Sequence, residues 1–202
     1  MTQETFLEMA RRHRDADMLV ANTFKMVDGQ ACSIGCFCHD HGLKPNDFAG
    51  LAKITKYPEE AHRLQDAIFE GLPEAERADW HVAFAEKAET VTDWQAVIDK
   101  TVLASLRIVQ PHDTSESKVV SAVIDLYERS LTGDNPSETE WGAARHAARC
   151  ALGASWNPRG AVGAAWAAEA AEAACASDAV RAASWAARDA AWVQIRDAFL
   201  NA

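Results

Sequence analysis

Along most of this chain the apolar positions return every three or four residues, the period of helices with one buried face. In "YPEEAHRLQDAIFEGLP", Ala61, Leu64, Ala67 and Ile68 form one such stripe, and Phe69 is expected to pack inward beside it. Pro58 suits a first helical position, and Glu59 and Glu60 complement the positive end of the helix dipole. Gly71-Leu72-Pro73 reads as the stop. A second helix opens at Glu74 and carries Trp80, Phe84 and Ala88 on one side. Asp93 is a good cap for "WQAVIDKTVLASLRIV", which must end before Pro111. Ser115 is placed to cap "ESKVVSAVIDLYERSLTG", closed by Gly133, and Ser137 to Glu140 has the spacing of a capping box.

Two regions depart from this pattern. In "MLVANTFKMVDGQACSIGC", Val20, Thr23, Phe24, Met26 and Val27 precede Asp28-Gly29, a hairpin-turn dipeptide. A small β-hairpin is one expectation there, and a helix ending at Gly29 is the other. The last 60 residues hold 25 alanines, in pairs that recur at helical spacing. Stripes of small residues let helix backbones approach closely, and Trp166, Trp185 and Trp192 supply bulk. This predicts a helical hairpin or bundle, with Asn157-Pro158 as one turn and Ser177-Asp178 as a break. An oligomerisation seam is the alternative, but alanine buries little area with which to drive association. The expected fold is therefore mainly α, a multi-helix bundle forming a single domain over 1–202. Its parts are an N-terminal helix, hairpin and Cys/His loop (1–57), acidic helices (58–133) and an Ala-rich helical region (137–202).

Composition adds limits. The 202 residues suffice for a self-sufficient core, and 49% apolar with 25% charged residues is ordinary for a globular chain. No apolar run approaches the roughly 18 residues that span a bilayer, and the N-terminus has no apolar leader segment, so the cytoplasm is the expected compartment. Net charge is −10 and unevenly spread: residues 58–99 carry eleven acids against Arg63, Arg77 and Lys87. That surplus opposes direct nucleic-acid binding. It permits a basic partner or mimicry of DNA charge, and a solvated helical face is the simplest account of it.

The chemistry concentrates in "ACSIGCFCHDHG", with three cysteines, two histidines and an aspartate between 32 and 41. Zinc wants converging thiolate and imidazole ligands. Cys32, Cys36 and His39 are the local candidates, and His146 with Cys150, four apart on an expected helix, would complete the set. Against this, Cys36 and Cys38 are spaced too tightly for an ordinary knuckle, and buried cysteines commonly serve as small apolar groups. A nucleophilic Cys36 or Cys38 with a depressed pKa near a helix start is a second reading. A third takes Gly35 as the pivot of a turn whose backbone N–H groups form a nest for an anion.

With "ACSIGCFCHDHG", then "LQDAIFEGLP", then an alanine- and tryptophan-studded C-terminus, the chain resembles small helical proteins encoded in phages and prophages, some of which carry an immunity-protein label. Their motif reads GCSIGC with one histidine following; here alanine stands at position 31, and Cys38 and His41 are additions, which puts weight on Gly35, Cys36 and His39. The resemblance implies an accessory role with no established reaction. In the second motif Asp66 and Glu70 lie four apart on one helical face, a spacing that binds a cation, basic groups or ligand donors, or is simply solvated. The expected ligand site is thus Gly35, Cys36, His39, Asp66 and Glu70, with Glu70 facing His39 across a small polar pocket. Three functions compete: a non-catalytic binder that sequesters or blocks a host protein or nucleotide-like ligand; a metal- or cysteine-dependent enzyme using residues 32–41; and an acidic interaction protein. No resident cofactor is expected under the first, an oligomer is compatible with it, and no membrane is involved.

Overall fold

The helices expected between 58 and 109 form where their punctuation places them. In the computed structural model, which describes residues 4–110, 118–154 and 189–202, the described residues hold nine helices. They are α1 (Phe6–Asp15), α2 (Ser33–Asp40), α3 (Phe48–Thr55), α4 (Glu59–Gly71), α5 (Glu74–Ala88), α6 (Trp94–Val109), α7 (Val119–Leu131), α8 (Glu138–Ala154) and α9 (Asp189–Asn201). No helix is long and apolar enough to cross a membrane among the described residues. The chain separates into two compact units, Met1–Trp94 and Gln95–Ala202.

In the first unit α4 shows how local signals and packing agree. Pro58 is its N-cap in extended conformation, Glu59 and Glu60 fill the first turn, and Leu72 closes it. Ala61, Leu64, Ala67, Ile68 and Phe69 are all buried, as the stripe required. Helix α5 packs on α4 and α1, presenting Trp80, Phe84 and Ala88 inward. The Trp80 indole donates to the Gln65 carbonyl at 3.1 Å, tying α5 to α4. Helix α1 begins with a capping box, Thr5 and Glu8 exchanging side-chain-to-backbone bonds. Its Phe6 stacks on Phe37 of α2 with centroids 4.0 Å apart.

The segment between α1 and α2 corrects the hairpin expectation. Asp28 and Gly29 both take positive φ, and Val27 and Gln30 exchange two backbone bonds of 2.9 Å, so the turn itself forms. No strand extends from it among the described residues; a single further bridge joins Leu19 and Ala31. The chain is instead folded back over the start of α2, with Cys32 N–H donating to the Thr23 carbonyl at 2.6 Å.

The second unit is built from apolar faces of α6, α7 and α9. Val102, Leu106, Val120, Val123, Ile195 and Phe199 are its buried centre. Helix α7 packs on α8, where Tyr127 meets Trp141 edge-on at 5.2 Å. The capping box at Ser137 and Glu140 is present, and Gly133 closes α7 with a φ of +87°. Trp192 is buried, whereas Ser115, Asn157-Pro158, Trp166, Ser177-Asp178 and Trp185 lie outside the described residues.

Candidate functional site

The stretch expected to be a turn is a helix. Cys32 caps it, its sulfur accepting from the Gly35 N–H at 3.4 Å, and Ser33–Asp40 follow as α2. Gly35 therefore serves close approach without positive φ: a Cβ built there would stand 2.5 Å from the Phe24 carbonyl oxygen and 2.8 Å from Ala31 Cβ. The group that crowds it is the protein's own returning backbone, and the anion-nest reading is corrected accordingly.

Helix α2 has two working faces. Gly35, Cys38 and His39 line an open cleft of about 390 Å³, completed by Phe24, Lys25 and Met26 from the preceding segment and by Leu43 and Pro45 from the following one. Its wall is mostly apolar, and Lys25 and His39, both exposed, stand beside it. Cys36 points elsewhere: its sulfur lies 3.7 Å from the carbonyl oxygens of both Met18 and Ala31. Burial pushes the Cys36 thiol up to about 12 and also raises Cys32 and Cys38. The depressed thiol pKa that a nucleophile near a helix start requires is thus replaced by its opposite.

The expected pocket between Glu70 and His39 is not what forms. Glu70 instead accepts from the Asn22 N–H at 2.7 Å, and Cys32, Asp66 and Glu70 gather with one ligand atom each, all within 4.8 Å of one another. Asp66, expected in the ligand site with Glu70, is fully buried, and the Cys32 thiol donates to it at 3.6 Å. Burial and then the Asp66 charge raise the pKa of this thiol. His146 and Cys150, in the second unit, meet each other at 3.5 Å on an exposed face of α8.

The other face of α2 carries an arrangement that motif spacing did not suggest. Asp40 accepts from Arg12 at 2.5 Å and from His13 at 2.7 Å. Burial opposes its charge, but these two bonds outweigh that and hold its pKa below the usual carboxylate value. From there the polar groups run inward: His13 Nδ1 to His81 Nε2 at 3.1 Å, His81 Nδ1 to Ser33 Oγ at 2.8 Å, and Ser33 Oγ to Gln65 Nε2 at 2.7 Å. Gln65 Oε1 then meets His62 Nδ1 at 3.4 Å, and His62 Nε2 meets Thr55 Oγ1 at 2.9 Å. His13, Ser33, His62, Gln65 and His81 are all fully buried, and the relay touches every helix of the first unit.

An ionised Asp40 accepts only, so with His13 neutral every proton in the relay follows in turn. His13 carries its hydrogen on Nε2, leaving Nδ1 to accept from His81 Nε2–H. His81 Nδ1 accepts the Ser33 hydroxyl proton, and Ser33 accepts from the Gln65 amide. Gln65 Oε1 accepts from His62 Nδ1–H, and His62 Nε2 accepts from Thr55. This arrangement has all three imidazoles neutral, the form that burial favours for each. A Ser–His–His–Asp run resembles hydrolytic machinery in residue type, but a Ser33 fully enclosed by the core offers no substrate access.

A sequence signal for these histidines does exist: His13 follows the buried Met9 and Ala10 by four and three positions, and His81 precedes the buried Phe84, Ala85 and Ala88 at helical spacing. No protein-family model, no curated protein and no solved structure matches the chain.

Proposed function

We propose that this chain is a non-catalytic accessory protein that binds and sequesters or blocks a host component through the cleft beside α2. What supports the reading is the convergence of Gly35, Cys38 and His39 on an open, mostly apolar cleft with Lys25 beside it. Such a cleft suits an apolar anchor bearing an anionic group, either from a host protein or from a nucleotide-like ligand. The resemblance to phage and prophage proteins supports the accessory role. The acidic alternative loses weight in the middle segment, where Glu59 pairs with Arg63, Glu86 pairs with Arg11, and Asp66 is inside the core.

Native mass spectrometry of the chain isolated from phage-infected or lysogenic cells tests the proposal. It should show a bound partner or small molecule that the paired substitution Lys25→Glu, His39→Glu removes. A small ligand held at 100 times its Kd should raise unfolding stability by about 2.7 kcal/mol. A partner retained undiminished by the paired substitution would place recognition elsewhere and overturn the reading.

A further inference from the structure

The buried relay is the feature of the first unit that the cleft leaves unexplained. With all three imidazoles neutral, each donates from one nitrogen and accepts on the other, and the links run one way from Thr55 to Asp40. One proton added to His13 is absorbed only if every link reverses, with His81 and His62 changing tautomer, the Gln65 amide turning over and Thr55 donating to the Leu51 carbonyl; a second proton then sets donor against donor. A proton added to His81 puts N–H against the Ser33 hydroxyl proton, which then has to find another acceptor. Protonated His62 directs N–H at Thr55, whose hydroxyl must turn to its second acceptor, the Leu51 carbonyl at 3.0 Å. The groups facing the relay are few. Arg12, Asp40 and Glu4 act on His13, only His13 acts on His81, and Glu59 acts on His62, with the Tyr57 ring 6.0 Å away. Apart from Arg12, Asp40 and the more distant Glu4 and Glu59, the charged groups give way to rings: Phe37 stacks on His81 at 4.7 Å, and Phe6 and Phe84 flank His62.

We propose that the relay from Thr55 to Asp40 is an acid-operated latch on α2, which added protons open by setting donors against donors. Ser33 and Asp40 lie at the two ends of α2, so losing both links leaves the helix that carries Gly35, Cys38 and His39 held by its apolar packing, chiefly Ile34 and Phe37. Mild acid then raises the share of molecules in which the core face of α2 opens and the cleft on its other face dissolves. The consequence for ligand binding rests on the reading above; the latch itself does not. Burial, which already lowers all three histidines and brings His62 to about 4, sets the direction: protons are taken up on opening.

The buried thiols report the opening. Cys36 and Cys38 sit on α2 and are shielded, while Cys150 is exposed in the second unit and serves as an internal reference. The full chain is labelled with a pyridyl disulfide, which reacts from acid to neutral pH, and each cysteine is followed by mass spectrometry. Rates are normalised to the same chain unfolded in urea at the same pH. Between pH 6 and pH 5, uptake of two protons on opening raises normalised labelling about fifty-fold, and uptake of three about four-hundred-fold. Cys150 should not change. A rise below about ten-fold, the response of a single histidine, overturns the latch. His81→Gln should remove one proton from the pH slope; if that variant is unprotected at pH 7, the wild-type slope decides alone. Because no ligand is used, a cleft that binds nothing leaves this result intact, and a failed latch leaves binding at pH 7 unaffected.

Discussion

Replacing Gly35 by alanine sets two opposite effects against each other. In an ordinary helix interior the substitution stabilises by about 0.5–1 kcal/mol, because glycine loses more backbone freedom on folding. At this position the new Cβ would lie 2.5 Å from the Phe24 carbonyl oxygen and 2.8 Å from Ala31 Cβ. A carbon–oxygen contact needs roughly 3.3 Å, so the Phe24 backbone must retreat by about 0.8 Å. It is poorly placed to do so, since the neighbouring Thr23 carbonyl is held by Cys32 N–H at 2.6 Å. Overpacking against backbone costs about 1–3 kcal/mol, which outweighs the helix gain and leaves Gly35→Ala about 1–2 kcal/mol less stable. Gly142 supplies the control, because its Cβ would meet only the Arg145 guanidinium at an ordinary 3.7 Å. Gly142→Ala should therefore stabilise by about 0.5–1 kcal/mol. Urea unfolding followed by circular dichroism reads both. A Gly35→Ala variant at least as stable as the parent would refute the close-approach argument, as would two variants shifting in the same direction.

Trp80→Phe removes the indole bond to the Gln65 carbonyl from a fully packed site and should cost about 2 kcal/mol in the same assay. Asp47→Ala deletes the cap of α3, whose carboxylate accepts from Gly50 N–H at 2.8 Å; a loss of about 1 kcal/mol is expected, visible as a lower urea midpoint. Equilibrium stability should fall with pH in a window set by His62, which burial holds at about 4 against an ordinary 6.5. The unfolded chain binds the proton first, so this contribution is complete above 6.5 and is lost as pH drops towards 4, about 3 kcal/mol in all. Urea midpoints that stay flat from pH 7 to pH 5 would contradict it.

The helical framework was legible because its signals were local and mutually consistent. In α4 the proline, the two first-turn glutamates and the apolar stripe all specify one helix, and packing against α5 agrees with them. Residues 32–40 were misread for the converse reason. Glycine and cysteine favour helix weakly, and a genuine turn at Asp28-Gly29 directly precedes them. What makes that segment helical is non-local: Phe37 fits between Phe6 and His81, and the Phe24 backbone demands a residue without a side chain at 35. Asp66 and Glu70 were paired correctly on one face, but which face is buried depends on where Cys32 arrives from a distant part of the chain.

The relay escaped a reading based on spacing because its members are far apart in sequence. His13, Ser33, Thr55, His62 and His81 come from five helices, and no sequence spacing links one helix's member to the next. Each histidine does occupy a helical position flanked by core residues, where an isolated imidazole would be costly to bury. Three such positions in one small unit imply that the polar groups satisfy one another, since no single apolar neighbour could. Such a network costs stability relative to an apolar core unless every link is made, and here the Arg12–Asp40 pair at its edge orients the links. The same dependence that fixes one tautomer for each ring makes the fold of the first unit sensitive to a change at any of them. Two members of the relay, Ser33 and Asp40, lie on the helix that also walls the cleft, so the chemistry of the core and the surface proposed for recognition share a single element.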